Sequence, residues 1–267
     1  RCFADAAGYW RGAKVYWRRA KFARDVMILD IDVGNSFVKW RVSDALGATQ
    51  EGSQPTCTLV KDGLDLGVIS SLGHARVSSV GAESAVTILR QQISDTFGVE
   101  LQRAVVSKSA GGVRCGYPDF DKLGIDRWLA MVSAFSQFKR SLIVVDLGSA
   151  VTLDVVRKDG QHLGGYILPG LSLMRQSLHR GTAQVRVRDH MHDTIEPGED
   201  TSAAVNRGSL FAVVASIEKL AHVHPSKLII TGGDASLVRG LLNVNSHHEP
   251  HLVLDGLSIE DISLLKC

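Results

Sequence analysis

Residues 28–42 read ILDIDVGNSFVKWRV, and residues 142–156 read LIVVDLGSAVTLDVV. In each segment an apolar strand runs into Asp, an apolar residue and Gly, and a second apolar strand follows a small polar residue. The two segments align at a constant offset of 114 residues, which places Asp32 on Asp146 and Gly34 on Gly148. Two units that open in the same way predict a duplicated α/β architecture with a cleft between the halves.

The rest of the chain alternates shorter strands with helices. A helical apolar period runs over residues 83–96, and a second, longer one begins at Asp126. We therefore expect an N-terminal domain at residues 27–140 and a C-terminal domain at residues 141–267. Residues 1–26 are predicted to be an N-terminal extension outside the fold.

Composition limits the classes of protein to which the chain can belong. Its 267 residues are 45% apolar and 22% charged, which suits a large buried core. Residues 1–26 hold seven Lys/Arg against two Asp/Glu, whereas the remainder holds 23 against 26, so the body is mildly acidic. We expect no nucleic-acid partner, because the body lacks a basic footprint, and no membrane partner, because no long apolar run exists. Four scattered cysteines without a CxxC pair favour a reducing, cytoplasmic location.

The repeated Asp-x-Gly pattern suits the binding of phosphates. Glycine lets the backbone approach a phosphate closely, and Ser36 and Lys39 add a hydroxyl donor and a cation. A carboxylate would repel phosphates unless a cation lay between them, so Asp32 and Asp146 are interpreted as residues that hold a cation. The alternative is an ordinary turn signal.

Asp126 lies at the start of the second amphipathic helix. As an aspartate at a helix start it could be a simple N-cap. It could instead be a general base that accepts the proton of an attacking hydroxyl, with Arg127 binding a substrate carboxylate. The residues alone leave both readings open.

Five stretches together resemble the type III pantothenate kinases, a branch of the acetate and sugar kinase/Hsc70/actin superfamily. They follow the order of that family and span residues 27–267. The matching stretches are DVGNSFVKWRV (32–42), GVRCGYPDFDKLGIDRWLA (112–130), DLGSAVTLDVV (146–156), GGYILPGLSLMRQSLHRGTA (164–183) and TGGDA (231–235).

The resemblance implies two ribonuclease H-like (actin-like) domains. It also implies the ATP-dependent phosphorylation of pantothenate to 4'-phosphopantothenate, the first step of coenzyme A biosynthesis. The expected cofactors are ATP, Mg²⁺ with the ATP, and K⁺ or NH₄⁺, and the expected assembly is a homodimer.

The same resemblance assigns roles to individual residues. Asp126 is the expected catalytic base, and Asp146 is the expected ligand of the monovalent cation. ATP is assigned to Asp32, Val33, Gly34, Asn35, Ser36, Phe37, Val38, Lys39 and Ser149. Pantothenate is assigned to Tyr117, Gly124, Ile125, Asp126, Arg127 and Thr182. At position 149 the family usually carries Thr, and Ser149 keeps the hydroxyl without the methyl group.

Two alternatives remain open from the sequence. One is a nucleotide-binding regulatory (accessory) protein of the same fold that acts through a partner. The other is a kinase or phosphatase of the same superfamily that acts on a sugar or polyphosphate.

Overall fold

The computed structural model describes residues 27–44, 47, 49–67, 69, 71–81, 83–181 and 193–267. The expected N-terminal extension at residues 1–26 lies outside these residues. Within the described ranges, no helix combines the length and the apolar character that a membrane crossing would require.

The first sheet contains six strands in the order β13-β5-β4-β1-β2-β3. β1, β2 and β3 form an antiparallel meander, β4 and β5 continue parallel to β1, and β13 pairs antiparallel with β5. The strands are β1 (Ile28–Val33), β2 (Phe37–Ser43), β3 (Thr49–Pro55), β4 (His74–Ser79), β5 (Leu101–Val105) and β13 (Ser263–Lys266).

The second sheet repeats this plan with five strands in the order β10-β9-β8-β11-β12. Three antiparallel strands again precede two parallel ones, so β8 corresponds to β1. The strands are β8 (Leu142–Leu147), β9 (Ala150–Val156), β10 (His162–Pro169), β11 (Lys227–Thr231) and β12 (Ser246–His248). The duplication inferred from the two Asp-x-Gly segments is confirmed.

The two opening hairpins differ by one residue in their turns. Asp32 pairs with Lys39 across the first hairpin, whereas Asp146 pairs with Thr152 across the second. The constant offset of 114 therefore holds for the first strand of each hairpin and slips by one in the second strand. Because side chains alternate between faces along a strand, the buried Val38 corresponds to the buried Val151, not to Thr152.

Seven helices, a short hairpin and a 3₁₀ turn complete the described part of the chain. The hairpin consists of β6 (Ser109–Ala110) and β7 (Val113–Arg114), and the 3₁₀ turn spans Phe120–Lys122. The helices are α1 (Thr56–Asp62), α2 (Glu83–Phe97), α3 (Ile125–Phe138), α4 (Leu171–Gly181), α5 (Thr201–Val223), α6 (Ala235–Arg239) and α7 (Leu252–Leu257).

Each sheet belongs to its own compact unit and carries its own apolar core. The first unit comprises the described residues up to 107 together with 123–129 and 253–267, and the second comprises 108–122 and the described residues within 130–252. Leu29, Ile31 and Val33 of β1 pack with α2 in the first core. Ile143, Val145 and other β8 residues pack with α5 in the second. The domain boundary expected between residues 140 and 141 stays a prediction.

Candidate active site

The β1–β2 turn of the first unit holds the residues expected to bind phosphates. Asp32 lies near the end of β1, and the Gly34 N–H donates a hydrogen bond to the Phe37 carbonyl across the turn at 3.0 Å. A Cβ at position 34 would lie 3.0 Å from that same carbonyl oxygen, so the tight turn favours glycine. Asn35, Ser36 and Phe37 are exposed.

Thr56, at the start of α1, makes two hydrogen bonds to this turn. Its hydroxyl donates to the Gly34 carbonyl at 2.7 Å, and its N–H donates to the Ser36 carbonyl at 3.0 Å. Because these two carbonyl oxygens point toward Thr56, their negative dipoles are not directed at an incoming phosphate. Sequence reasoning missed Thr56, because nothing in its local sequence indicates a contact with a turn twenty residues earlier.

The expected ATP residues divide by the face of the hairpin on which they lie. Val33 and Val38 are fully buried in the first core, so their side chains are not accessible to a nucleotide. Asp32 and Lys39 are cross-strand partners on the opposite face, and Ser78 of β4 is the neighbour of Asp32 in the adjacent strand. A carboxylate and a cation thus face the same side of the sheet, next to the turn.

Asp126 lies within the first turn of α3 and is not its N-cap. The helix begins at Ile125, and the Trp128 N–H donates to the Gly124 carbonyl at 3.0 Å, so Gly124 holds the capping position. The interpretation of Asp126 as a simple N-cap is therefore wrong. Its Oδ1 accepts a hydrogen bond from the Arg127 N–H at 2.8 Å, and Arg127 is largely buried beside it.

In the second unit, Asp146 lies one residue before the end of β8, and Ser149 lies in the short turn that follows. The Gly148 N–H donates to the Ala150 carbonyl at 3.0 Å and closes the β8–β9 hairpin. The Gly170 N–H donates to the Ser149 carbonyl at 3.1 Å and so joins the start of α4 to this turn. A side chain at Gly170 would overlap the Gly148 and Ser149 carbonyls, which explains the glycine after Pro169.

The TGGDA segment packs against the same end of β8. Gly232 has φ +98°, and a Cβ there would lie 2.6 Å from Asp146 Oδ1. The Asp234 N–H donates to the Leu147 carbonyl at 3.1 Å. Burial raises the pKa of the Asp234 carboxyl, and the positive charge of Arg175 offsets part of this effect. Gly232 therefore packs closely against the Asp146 carboxylate and the Leu147 backbone, and a side chain at position 232 would collide with both.

The expected pantothenate residues fall in both units. Gly124, Ile125, Asp126 and Arg127 form the start of α3 in the first unit, and Tyr117 lies in the second, half-buried on His162. Thr182 lies outside the described residues. Among the residues that the structure describes, no three His, Cys, Asp or Glu side chains gather into a metal-binding group.

When the strands of each unit are numbered along the chain, both sheets have the order 3-2-1-4-5, and β13 is added at the edge of the first sheet. Each sheet also has an aspartate near the end of its first strand. These features define the actin-like phosphotransferase fold. A solved structure from Campylobacter jejuni, assigned to the Baf family of transcriptional activators, has this fold. It superposes with a TM-score of 0.52 at 20% identity and covers 86% of this chain and 95% of its own.

The model of the type III pantothenate kinase family matches residues 28–223. A type III pantothenate kinase of Ectopseudomonas mendocina is 38% identical over 87% of this chain and 98% of its own length. One from Pseudomonas aeruginosa is 36% identical with the same coverage. The chain belongs to the type III pantothenate kinase family and is a kinase.

Proposed function

We propose that the two Asp-x-Gly turns and the start of α3 carry out the ATP-dependent phosphorylation of pantothenate to 4'-phosphopantothenate, the first step of coenzyme A biosynthesis. The position of Asp126 is the observation that supports this proposal most directly. A carboxylate in the first turn of a helix, held by a neighbouring N–H, is a fixed proton acceptor.

In this mechanism Asp126 accepts the proton of the pantothenate hydroxyl. The hydroxyl oxygen then forms a bond to the γ-phosphorus while the bond between that phosphorus and the β,γ-bridging oxygen breaks, and ADP leaves. Arg127, next to the base, binds the pantothenate carboxylate, which fixes the hydroxyl relative to Asp126. Gly124, Ile125 and Tyr117 complete the acceptor site, as does Thr182.

The triphosphate is assigned to the β1–β2 turn. N–H donors are assigned to the exposed residues 35–37 and a positive charge to Lys39, while Thr56 engages the carbonyls of Gly34 and Ser36. Mg²⁺ characteristically takes one or two carboxylates together with phosphate oxygens and water. A carboxylate at a strand end, as at Asp32, suits this role, and Mg²⁺ bound with ATP would neutralise phosphate charge during transfer.

Asp146 is assigned to a monovalent cation, K⁺ or NH₄⁺, and Ser149 to a contact with ATP. Asp146 lies near the end of β8, beside the tight β8–β9 turn, and this position of the carboxylate supports a cation there. Backbone carbonyls of a tight turn are suitable additional oxygen ligands for a large monovalent ion. A positive ion there offsets repulsion between the carboxylate and the phosphates of ATP.

The decisive experiment compares the wild-type protein with the Asp126→Asn variant. We expect the wild type to make phosphopantothenate from ATP and pantothenate in the presence of Mg²⁺ and K⁺, and to slow when Na⁺ replaces K⁺. Asp126→Asn keeps the shape of the side chain and removes the proton acceptor, so turnover should fall by about 10²–10⁴-fold with the melting temperature little changed. A variant that retains turnover would remove Asp126 from the role of base.

We also propose that the protein acts as a homodimer in the cytoplasm. In support of the dimer, the second unit exposes apolar side chains on β10, α4 and α5, where α4 packs against α5. They are Leu163, Tyr166, Ile167, Leu173, Leu178 and Phe211, and Ile167 is 62% exposed. Apolar surface of this kind is typical of subunit contacts.

Sedimentation velocity tests this assembly. Ile167→Glu should convert a dimeric protein to monomer, because a charge on each copy would be buried in the contact. Val60→Glu is the matched control, since Val60 is an exposed apolar residue of the first unit, outside this surface. A monomeric wild type would contradict the homodimer.

A further inference from the structure

A buried histidine–carboxylate pair lies in the second unit and has no part in the mechanism above. His162 is 1% exposed and Asp154 is 2% exposed, and His162 Nε2 lies 3.0 Å from Asp154 Oδ1. The β9–β10 pairing slips between His162 and Gly164, which is a β-bulge. Bulges commonly re-aim one side chain out of the strand alternation. Burying two polar groups has a free-energy cost that is offset only when they are well hydrogen-bonded.

The backbone of Gly116 determines which ring nitrogen carries the proton. The Gly116 N–H donates to His162 Nδ1 at 3.4 Å, so Nδ1 is the acceptor. In a neutral imidazole the other nitrogen then carries the hydrogen, and Nε2–H donates to the Asp154 carboxylate. Gly116 and Asp154 thus require the same tautomer, and together they fix the orientation of the ring.

The oriented ring supports the segment that contains Tyr117. The Tyr117 ring stacks on His162, with centroids 5.9 Å apart and planes 13° from parallel. Gly116 lies so close to the His162 carbonyl that any side chain at position 116 would overlap it. Just upstream, the Arg114 N–H donates to the Gly160 carbonyl at 2.8 Å. Residues 114–117 are thus held against residues 160–162 by the hydrogen bonds of Arg114 and Gly116 and by the stacked ring.

We propose that His162, oriented by Asp154, is a positioning residue that sets the place of Tyr117 in the pantothenate site. This inference rests on the proposed function, which assigns Tyr117 to pantothenate. It predicts that changes at His162 act on the acceptor substrate selectively. The ATP turn at residues 34–37 belongs to other strands and makes none of these contacts.

Two substitutions separate the hydrogen bonds of His162. His162→Gln can still donate to Asp154 but removes the Nδ1 acceptor and the stacked ring. His162→Asn places an amide oxygen where Nδ1 was, so the Gly116 N–H keeps an acceptor. We expect His162→Gln to raise the KM for pantothenate about tenfold while the KM for ATP stays within about twofold of the wild-type value. His162→Asn should raise the KM for pantothenate by a smaller factor. Leu153→Ala, a buried truncation in β9, controls for general loss of packing and should leave both KM values unchanged.

A double-mutant cycle with Tyr117→Ala tests whether His162 acts through Tyr117. If it does, His162→Gln should have little further effect on the KM for pantothenate once the tyrosine ring is gone. An equal effect in both backgrounds would overturn the proposal, as would an unchanged KM in the single variant.

Hydrogen exchange at the Gly116 amide provides a readout that does not depend on activity. Exchange should quicken in His162→Gln and remain slower in His162→Asn. If the wild type fails to phosphorylate pantothenate, the proposed function fails on its own. Unchanged exchange in His162→Gln would overturn the positioning role independently of that result.

Discussion

The carboxylate of Asp126 lies over the Cα of Gly124: a Cβ at position 124 would come within 2.6 Å of Asp126 Oδ1. The same oxygen accepts the Arg127 N–H. The backbone of Gly124 is not in the left-handed region, so alanine is compatible with its conformation. The contact is therefore a constraint on the position of the proposed base, and the fold itself does not require glycine here.

Gly124→Ala should displace the Asp126 carboxylate while leaving the protein folded. The clashing atom is the end of a short, rotatable side chain, so the carboxylate can move away at little cost in stability. Because proton transfer depends on sub-ångström placement, we expect kcat to fall about 10- to 100-fold with a nearly unchanged melting temperature. Asp126→Asn provides the lower limit of activity. An unchanged kcat would show that this contact does not position the base.

Thr56→Val should loosen the β1–β2 turn that is proposed to bind ATP. The substitution removes the hydroxyl that binds the Gly34 carbonyl and keeps the shape of the side chain. We expect the KM for ATP to rise several-fold with the KM for pantothenate unchanged, and a loss of stability of about 1 kcal/mol. Thr87→Val is the control, since Thr87 also donates to a backbone carbonyl, within α2. If both variants behave alike, the Thr56 contact is not specific to the nucleotide.

The fold was predictable to the extent that its signals are local. The Asp-x-Gly segments predicted both hairpins, and the helical periods predicted α2 and α3, because alternation and 3.6-residue repeats follow from each element's own geometry. The one-residue difference between the two turns was not predictable, since small polar residues fit either turn length. The pairing of β13 with β5 was not predictable either, because the two strands are far apart in sequence and β13 has only four residues.

For the candidate site, the sequence indicated which types of residue could take part, but not which residues contact one another. Asp32, Asp126 and Asp146 could be singled out because carboxylates next to glycine suit cations and proton transfer. The contacts of Thr56 with Gly34 and of Gly116 with His162 join residues that are far apart in sequence, so no local pattern contains them. The interpretation of Asp126 as the N-cap was wrong because Gly124 occupies the N-cap position, where its carbonyl accepts the Trp128 N–H. The sequence offered both Gly124 and Asp126 as acceptable N-cap residues and did not distinguish them.

Asp30→Asn should destabilise the first unit strongly. Asp30 is fully buried in β1, and Arg76 binds it through two hydrogen bonds of 2.7 and 3.0 Å, with Ser258 Oγ at 3.2 Å. Removing one partner leaves a largely buried guanidinium without its counter-charge, which costs about 3–5 kcal/mol. Urea unfolding measures this loss.

Glu83→Gln is the matched control for this ion pair. Glu83 pairs with Arg103 at 2.7 Å, but its side chain is 72% exposed, so water replaces the lost contact. Its loss should cost less than about 1 kcal/mol. Equal losses in the two variants would mean that burial does not set the strength of the Asp30 pair.

Asp234→Asn should stabilise the protein at neutral pH and not at acid pH. Burial raises the pKa of Asp234 above its ordinary value of 3.8, so the folded state binds this proton more tightly than the unfolded state. The free energy of unfolding therefore falls as the pH rises from 3.8 through the folded-state pKa, because ionising a buried carboxyl is unfavourable. Asparagine removes this penalty, and below pH 3.8 the carboxyl is neutral in both states.

Unfolding free energies measured between pH 3 and pH 7 give the difference between variant and wild type. Asp159→Asn is a control of opposite sign, because hydrogen bonds from Arg157 and from the Gln161 N–H lower the pKa of the exposed Asp159. That group contributes stability above pH 3.8, which is lost as the pH falls through its folded-state pKa. A stabilisation by Asp234→Asn that persisted at pH 3 would indicate a packing effect, and the buried charge would not be its cause.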